Sequence, residues 1–387
     1  MGKNKIKTKL IHNGIDTVKN YGSLSDPLYK SSTLIFKDYK EYLLAKKNKF
    51  SKPYYGRLGS YNTKRLEKIM SELYQSESCV ITSSGLSAIT LTLVSFLEKG
   101  SECLITQNCY EPVYNFATQN LVKFGVKVKF FENNNLKNFT KLVTKKTKIV
   151  YLESPGSMNY EVEDLEKIIK IAKQKNIITV FDNTWATFLG FNPLKWGVDI
   201  VIESATKYIS GHSDNFCGII ACSYNNYLKI KSTATKYGDY VHSDSCVTAI
   251  RGLRTLETRM NQHSKNAKVV YNFLNKNKIV KDIIFLPDKK NKNHNLWKKY
   301  FSLSNGLITF SILKKKDICF FLDNLKLFKI GFSWGGFESL IIPVNNLSPV
   351  VKSYKNSVFW FRIHVGLESS TDLIDDLKKG FLEYEKR

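Results

Sequence analysis

From residue 60 onward the apolar positions fall into two alternating kinds of run. Short runs rich in β-branched and apolar residues predict strands at 79–82, 102–106, 126–131, 147–152, 178–182, 199–204 and 217–222. Between them apolar residues recur at helical spacing and predict helices at 62–74, 85–98, 110–124 and 161–175. This alternation predicts an α/β fold, a mostly parallel seven-stranded sheet with helices on both faces. Past about residue 253 the pattern changes to a long helix at 254–276, strands at 307–313 and 358–364, and helices at 316–326 and 370–385. That mixture predicts a smaller α+β domain, with the Lys/Asn-rich stretch 287–299 as a mobile surface loop. Residues 1–59 hold no sustained period and carry Gly, Pro and Ser breaks, so they read as an arm that packs on another subunit. The expected division is an arm at 1–59, a ligand-binding domain at 60–253 and a C-terminal domain at 254–387.

The longest apolar runs, such as Ile200–Ile202 and Ile219–Cys222, are far too short to span a bilayer, and the first twenty residues lack the apolar segment of a signal peptide. A cytoplasmic protein without a membrane partner is expected. With 43% hydrophobic residues the chain is rich enough in apolar side chains to fold. Charge raises a different possibility: 59 Lys and Arg against 34 Asp and Glu give +25, which could draw nucleic acid. The Lys residues, however, are scattered among Asn and Ile along the whole chain, the pattern of solvated faces. No specific nucleic-acid partner is expected, and a basic binding protein is the weak alternative. The seven Cys contain no CxxC pair, so buried reduced thiols are expected and no metal site.

Open α/β sheets bind ligands beyond the carboxyl ends of their strands. Neither GxGxxG nor GxxxxGK[ST] occurs in the chain. After the first strand, Ser83, Ser84, Gly85 and Leu86 lead into a helix, whose free N–H groups and positive dipole end suit a phosphate, although such a start is more often an ordinary cap. Asp182 ends one apolar strand, and Lys207, preceded by Ser204 and Thr206, follows the next. Apolar strands deliver both residues to one edge of the sheet. A buried Lys with a depressed pKa can condense with a carbonyl, and an Asp can keep a ring nitrogen protonated.

Nine segments in order carry a resemblance that covers nearly the whole chain: YYGRLG (54–59), SSGLSAI (83–89), NCYEP (108–112), VYLESPGS (150–157), DNTWA (182–186), SATKYISGHSD (204–214), RGLRTL (251–256), FSWGGFESL (332–340) and RIHVGLE (362–368). The sequence resembles the pyridoxal-phosphate enzymes of cysteine and methionine metabolism, and within them the cystathionine β-lyase branch. The resemblance implies an aspartate-aminotransferase-like (fold type I) architecture and pyridoxal 5′-phosphate as cofactor. It implies that Lys207 carries the cofactor and moves protons, that Asp182 pairs with its ring nitrogen, and that Tyr110 stacks on the ring and serves, as phenolate, as a base. Gly85 and Leu86, with Ser204 and Thr206, would hold the phosphate, completed by Tyr55 and Arg57 of a neighbouring subunit. Arg362, with Trp334 and Ser333, would clamp the carboxylate of a small amino-acid thioether. His212 and Asp214 are read as support for the Lys207 turn.

Departures from the wider family pattern, ESPGS, SWGG and CYEP, point to β-elimination on L-cystathionine, giving homocysteine, pyruvate and ammonia. A γ-synthase or γ-lyase is the alternative. GSYNT after Arg57, where many relatives have GNPT, leaves the path of the arm open. The resemblance further implies a homo-oligomer, with a dimer as the minimum and a tetramer as the usual state. Racemisation of small amino acids such as alanine is a possible side activity.

Overall fold

The computed structural model describes residues 5–18, 20–350 and 357–386; residues 1–4 and 19 of the expected arm, and 351–356 and 387 of the expected C-terminal domain, lie outside the described residues. The arm contains two helices, α1 (Ile6–His12) and α2 (Tyr39–Lys47). It ends at α3 (Tyr61–Tyr74), which starts on a capping box formed by Ser60 and Thr63. Strands and helices then alternate: β1 (Ser78–Thr82), α4 (Gly85–Phe96), β2 (Glu102–Thr106), α5 (Glu111–Phe116), β3 (Lys127–Phe131), α6 (Leu136–Leu142), β4 (Thr147–Glu153), α7 (Leu165–Gln174), β5 (Ile178–Asp182), the single turn α8 (Thr187–Gly190), β6 (Ile200–Ser204) and β7 (Gly218–Cys222). Three helices follow, α9 (Tyr224–Lys236), α10 (Ser243–Leu253) and α11 (Leu256–Leu274). The rest comprises β8 (Val280–Ile284), α12 (His294–Tyr300), β9 (Leu307–Leu313), α13 (Cys319–Leu322), β10 (Lys329–Ile330), β11 (Leu340–Val344), β12 (Val358–His364) and α14 (Ser370–Lys386).

Among the described residues the strands form two sheets. The larger has the order β1-β7-β6-β5-β4-β2-β3 and is parallel from β6 to β3, with β7 antiparallel to both its neighbours. One face packs Val80, Ile105, Tyr151, Val180 and Ile202 against α4 and α5; the other packs Ile81, Leu152, Phe181 and Val201 against α3 and α7. The period of two therefore sends Asp182 and Glu153 to the first face and Glu203 to the second. The smaller sheet, β10-β11-β12-β9-β8, buries Phe310, Phe361 and Ile363 against α11 and α14.

At its root the arm is fastened to its own chain: Arg254 donates to the carbonyls of Leu10 (2.7 Å), Ile11 (2.8 Å) and Asn13 (2.9 Å), and Asp26 forms a buried ion pair with Arg65. Several expectations change. The stretch 287–299 is no free loop, because α12 forms within it and Tyr300 at its end packs on Trp196 and donates to Asp164 at 3.0 Å. The helix expected at 316–326 shrinks to α13, since Asp376 of α14 accepts the N–H groups of Lys326, Leu327 and Phe328 at 2.7–3.0 Å and holds them out of a helical ladder. Residues 110–124 split into α5 and a wider π turn at 117–121, and α7 begins only at Leu165. Six Cys are buried and free as expected, but Cys319 is exposed. No helix among the described residues is long and apolar enough to cross a membrane.

Candidate active site

Asp182 ends β5, and the register sets it beside Glu153 at the end of β4 and Ile202 of β6. Its carboxylate accepts from the N–H of Thr184 at 2.9 Å and the hydroxyl of Tyr151 at 3.2 Å. Burial pushes this carboxyl above the usual carboxylate range, while those two donors and the charge of Lys207 pull it back. Glu153 is raised well above that range by burial and by Asp182, and it accepts the N–H of Tyr110 at 2.6 Å. Of the two neighbouring carboxyls Glu153 is raised the further, and Asp182 is the one that a nearby cation draws back.

Lys207 stands in the tight turn after β6, where its N–H donates to Ser204 O at 3.1 Å and its carbonyl accepts from Gly211 at 2.8 Å. Arg259 of α11 braces that turn by donating to the carbonyls of Tyr208 (2.6 Å) and Ile209 (3.2 Å). The Lys207 ammonium donates to Ser333 Oγ at 2.6 Å and lies 5.4 Å from the centre of the Trp334 ring. Burial and the neighbouring Arg362 charge lower its pKa to about 8, against the pull of Asp182. A lysine so placed is neutral in a useful fraction of molecules near neutrality, as a nucleophile or a base must be.

Arg362 lies in the middle of β12, paired with Thr309 of β9 and Ile342 of β11, and only 6% of it is exposed. Its five N–H donors find Ser333 O at 3.1 Å and Met158 Sδ at 3.7 Å, and no carboxylate among the described residues. A buried cation without a counter-charge is costly, so the residual donors suit an anion brought by a ligand. Ser333 joins the two cations, through its hydroxyl to Lys207 and its carbonyl to Arg362, with a left-handed φ of 87°. Two residues on, Gly335 has φ 86°, and a Cβ there would lie 2.9 Å from Tyr208 N. A glycine lets the loop lie flat on the Lys207 turn.

At the start of α4 the Ser84 side chain caps the N–H of Ser87 at 3.0 Å, and the N–H groups of Gly85 and Leu86 have no acceptor among the described residues. A Cβ on Gly85 would come within 2.6 Å of Ser204 Oγ, so glycine allows the helix start to close on the strand end that precedes Lys207. Thr206 Oγ1 receives the N–H of Cys217 at 3.1 Å. The sequence reading missed Asp239, which fastens the α9–α10 connection here by accepting from Ser83 Oγ (2.6 Å) and Ser87 Oγ (2.7 Å).

The residues expected from the sequence thus fall into linked groups: Lys207 with Ser333, Trp334 and Arg362; Asp182 and Tyr110 around Glu153; Gly85 with Ser204. Tyr55 and Arg57 stand elsewhere in the single chain: Tyr55 is exposed, and Arg57 donates to Thr235 O at 3.0 Å. His212 turns back on Ser210 O at 2.7 Å, as a brace of the turn. Burial, Glu153 and Asp182 raise the Tyr110 phenol above its ordinary value, with Arg362 opposing. Glu153, Tyr151 and Met158 were also missed; Glu153 lies one place past the strand expected at 147–152, and its place beside Asp182 appears only in the sheet register.

An amine of lowered pKa, a buried aspartate and a helix start with free N–H groups fit an aldehyde cofactor that carries a basic ring nitrogen and a phosphate. The fold is that of the fold type I enzymes. The chain belongs to the Cys/Met metabolism PLP-dependent enzyme family, whose model matches residues 7–382. It is a pyridoxal-phosphate-dependent lyase of that metabolism, with pyridoxal 5′-phosphate as cofactor. It is 35% identical to an L-alanine/L-glutamate racemase of Wolbachia pipientis wMel, over 92% of each chain. With a cystathionine β-lyase of Escherichia coli (strain K12) the identity is 33%, over 98% of this chain and 99% of the relative. A solved cystathionine γ-synthase of Xanthomonas oryzae pv. oryzae, in complex with aminoacrylate and cysteine, superposes with a TM-score of 0.91 at 25% identity over 99% of each chain.

Proposed function

We propose that the protein is a carbon–sulfur β-lyase that cleaves L-cystathionine to L-homocysteine, pyruvate and ammonia in the cytoplasm. The observation that carries this reading is the buried Arg362, without an acidic partner and joined through Ser333 to Lys207. In this reading Arg362 and the Ser333–Trp334 segment take the substrate carboxylate and so hold the Cα hydrogen towards Lys207 Nζ. Lys207 removes that proton, and its lowered pKa makes the neutral amine available. Bound pyridoxal phosphate supplies the electron sink for the charge left at Cα. Asp182 would hold the ring nitrogen of the bound cofactor protonated, and the Tyr110 phenol would face the ring and give its proton to the departing sulfur. Gly85, Leu86, Ser204 and Thr206 hold the phosphate.

The division into an arm (1–59), a cofactor domain (60–253) and a substrate domain (254–387) belongs to the same proposal. Tyr55 and Arg57 complete a neighbour's phosphate site, which makes a dimer the minimum active unit and a tetramer its natural extension. Product analysis on cystathionine tests the reaction, since β-elimination yields pyruvate and γ-elimination 2-oxobutyrate; 2-oxobutyrate alone would overturn it. Mixing inactive Lys207→Ala and Arg57→Ala subunits should restore activity in sites that keep both residues. No recovery after demonstrated subunit exchange would refute the shared site.

A second reading, amino-acid racemisation, is favoured by the 35% identity to the alanine/glutamate racemase. Alanine has no leaving group at Cβ, so a proton taken by Lys207 from one face can be replaced by the Tyr110 phenol from the other. L-Alanine incubated in deuterated water decides it. D-Alanine that vanishes in Lys207→Ala supports racemisation; deuterium at Cα without D-alanine eliminates it.

A further inference from the structure

A cavity of about 440 Å³ lies away from Lys207, between the β3–α6 connection, the segment leading into α7 and the start of α12. Phe131, Leu136, Phe139 and Leu296 give it apolar walls. Into this wall is set Glu163, which is only 1% exposed. One carboxyl oxygen accepts the N–H of Asn134 at 3.0 Å; the other, Oε1, has no partner among the described residues. Both polar atoms of the neighbouring Asn133 amide are buried and equally unpartnered.

The other charges facing the cavity are already engaged. Glu161 takes Lys292 at 2.6 Å, Asp164 takes Lys167 at 2.7 Å and the Tyr300 hydroxyl at 3.0 Å, and Glu132 takes the amide of Asn135 at 2.8 Å. Glu163 Oε1 is therefore the buried carboxylate oxygen of this lining that lacks a donor, beside the apolar wall of Phe131, Leu136, Phe139 and Leu296. We propose that the cavity binds a small organic cation, a guanidinium or ammonium group on a short apolar stem, with the cation on Glu163 Oε1 and the Asn133 amide oxygen and the stem along Phe131, Phe139 and Leu296. A charge-assisted bond would satisfy the orphaned oxygen, and the stem would displace water from the apolar walls. Residues 154–164 between β4 and α7 also carry Met158, which touches Arg362, so an occupant would press on a segment that reaches the active site.

Burial, against the Asn134 N–H and with Glu161 and Asp164 adding to it, holds the Glu163 carboxyl at about 8. Binding of a permanent cation should therefore strengthen as pH rises. The probe is n-butylguanidinium, which stays charged and does not condense with an aldehyde, titrated calorimetrically into the holoenzyme beside its neutral isostere n-butylurea. Saturable binding at one site per chain is expected, at least about tenfold tighter at pH 8.5 than at pH 6.5, because the binding-competent carboxylate is the minor form at the lower pH. Butylurea should bind at least tenfold more weakly. Glu163→Gln should remove both the pH dependence and most of the affinity, and Leu136→Trp, which fills the chamber, should abolish binding while the circular dichroism stays that of the folded protein. Equal binding of guanidinium and urea, an affinity indifferent to both substitutions, or no saturable binding would each overturn the proposal.

Discussion

Two buried arginines divide the labour of this molecule. Arg259, 5% exposed, spends its guanidinium inside the protein, donating to the carbonyls of Tyr208, Ile209 and Gly252 and to Thr255 Oγ1 at 2.6–3.2 Å. Arg362, as deeply buried, has one carbonyl and one sulfur. Two lysines repeat the contrast. Lys231 is 6% exposed and pairs with Glu67 at 2.8 Å, whereas the partner of Lys207 is a serine hydroxyl. Burial costs a cation about the same wherever it occurs. A satisfied cation is part of the scaffold, and one with spare donors is reserved for something that arrives later.

That contrast can be broken by substitution. The largest effect is expected for Lys207→Ala, which should abolish turnover and the visible absorption of the bound cofactor while the circular dichroism stays that of the folded protein; measurable turnover would make Lys207 a scaffold residue. Arg362→Ala should lower kcat/KM by about 2–5 kcal/mol, the usual loss when one partner of a desolvated charge pair is removed. Its melting temperature should hold or rise, because an uncompensated buried charge has gone. Arg259→Ala should act chiefly on stability, costing about 1–3 kcal/mol by leaving buried carbonyls unmatched, and because Arg259 braces the Lys207 turn it should also lower kcat/KM, by less than Arg362→Ala does. If denaturant unfolding shows the two arginine variants equally destabilised, the contrast fails.

The smallest effect is electrostatic. With the cofactor removed, Lys207 titrates near 8 when folded and at its ordinary value of 10.5 when unfolded. Between those values the unfolded chain binds more protons, so this group adds stability as pH rises from 8 towards 10.5. Lys207→Met should flatten that gain relative to wild type in pH-dependent unfolding; identical curves would show that the lysine is not held in its neutral form.

Much of the architecture was legible because most strands of the larger sheet are short apolar runs buried as a unit, the edge strand β3 with its two lysines being the exception, and periodicity reports burial directly. The helix expected at 316–326 proved to be only Cys319–Leu322 because the competitor was Asp376, fifty residues from Lys326, which no local window contains. The helices of the arm were missed because they are polar: α2 buries only Ala45. At the site, Lys207 and Asp182 could be singled out as residue types following apolar strands, whereas Arg362 came only through the family resemblance. Glu153, Asp239 and Met158 act through partners 43, 156 and 204 residues distant, and those pairings exist only once the sheet has formed.

The corner between α10 and α11 has a mechanical meaning. Within six residues of sequence it holds Arg254, whose guanidinium grips the root of the arm, and Arg259, whose guanidinium grips the turn that bears Lys207. Gly252 rests directly on Ile209, with no room for a side chain between them. The arm and the lysine turn are thus levers on a single fulcrum, and whatever pulls the arm loads the turn through a few ångströms of packed backbone.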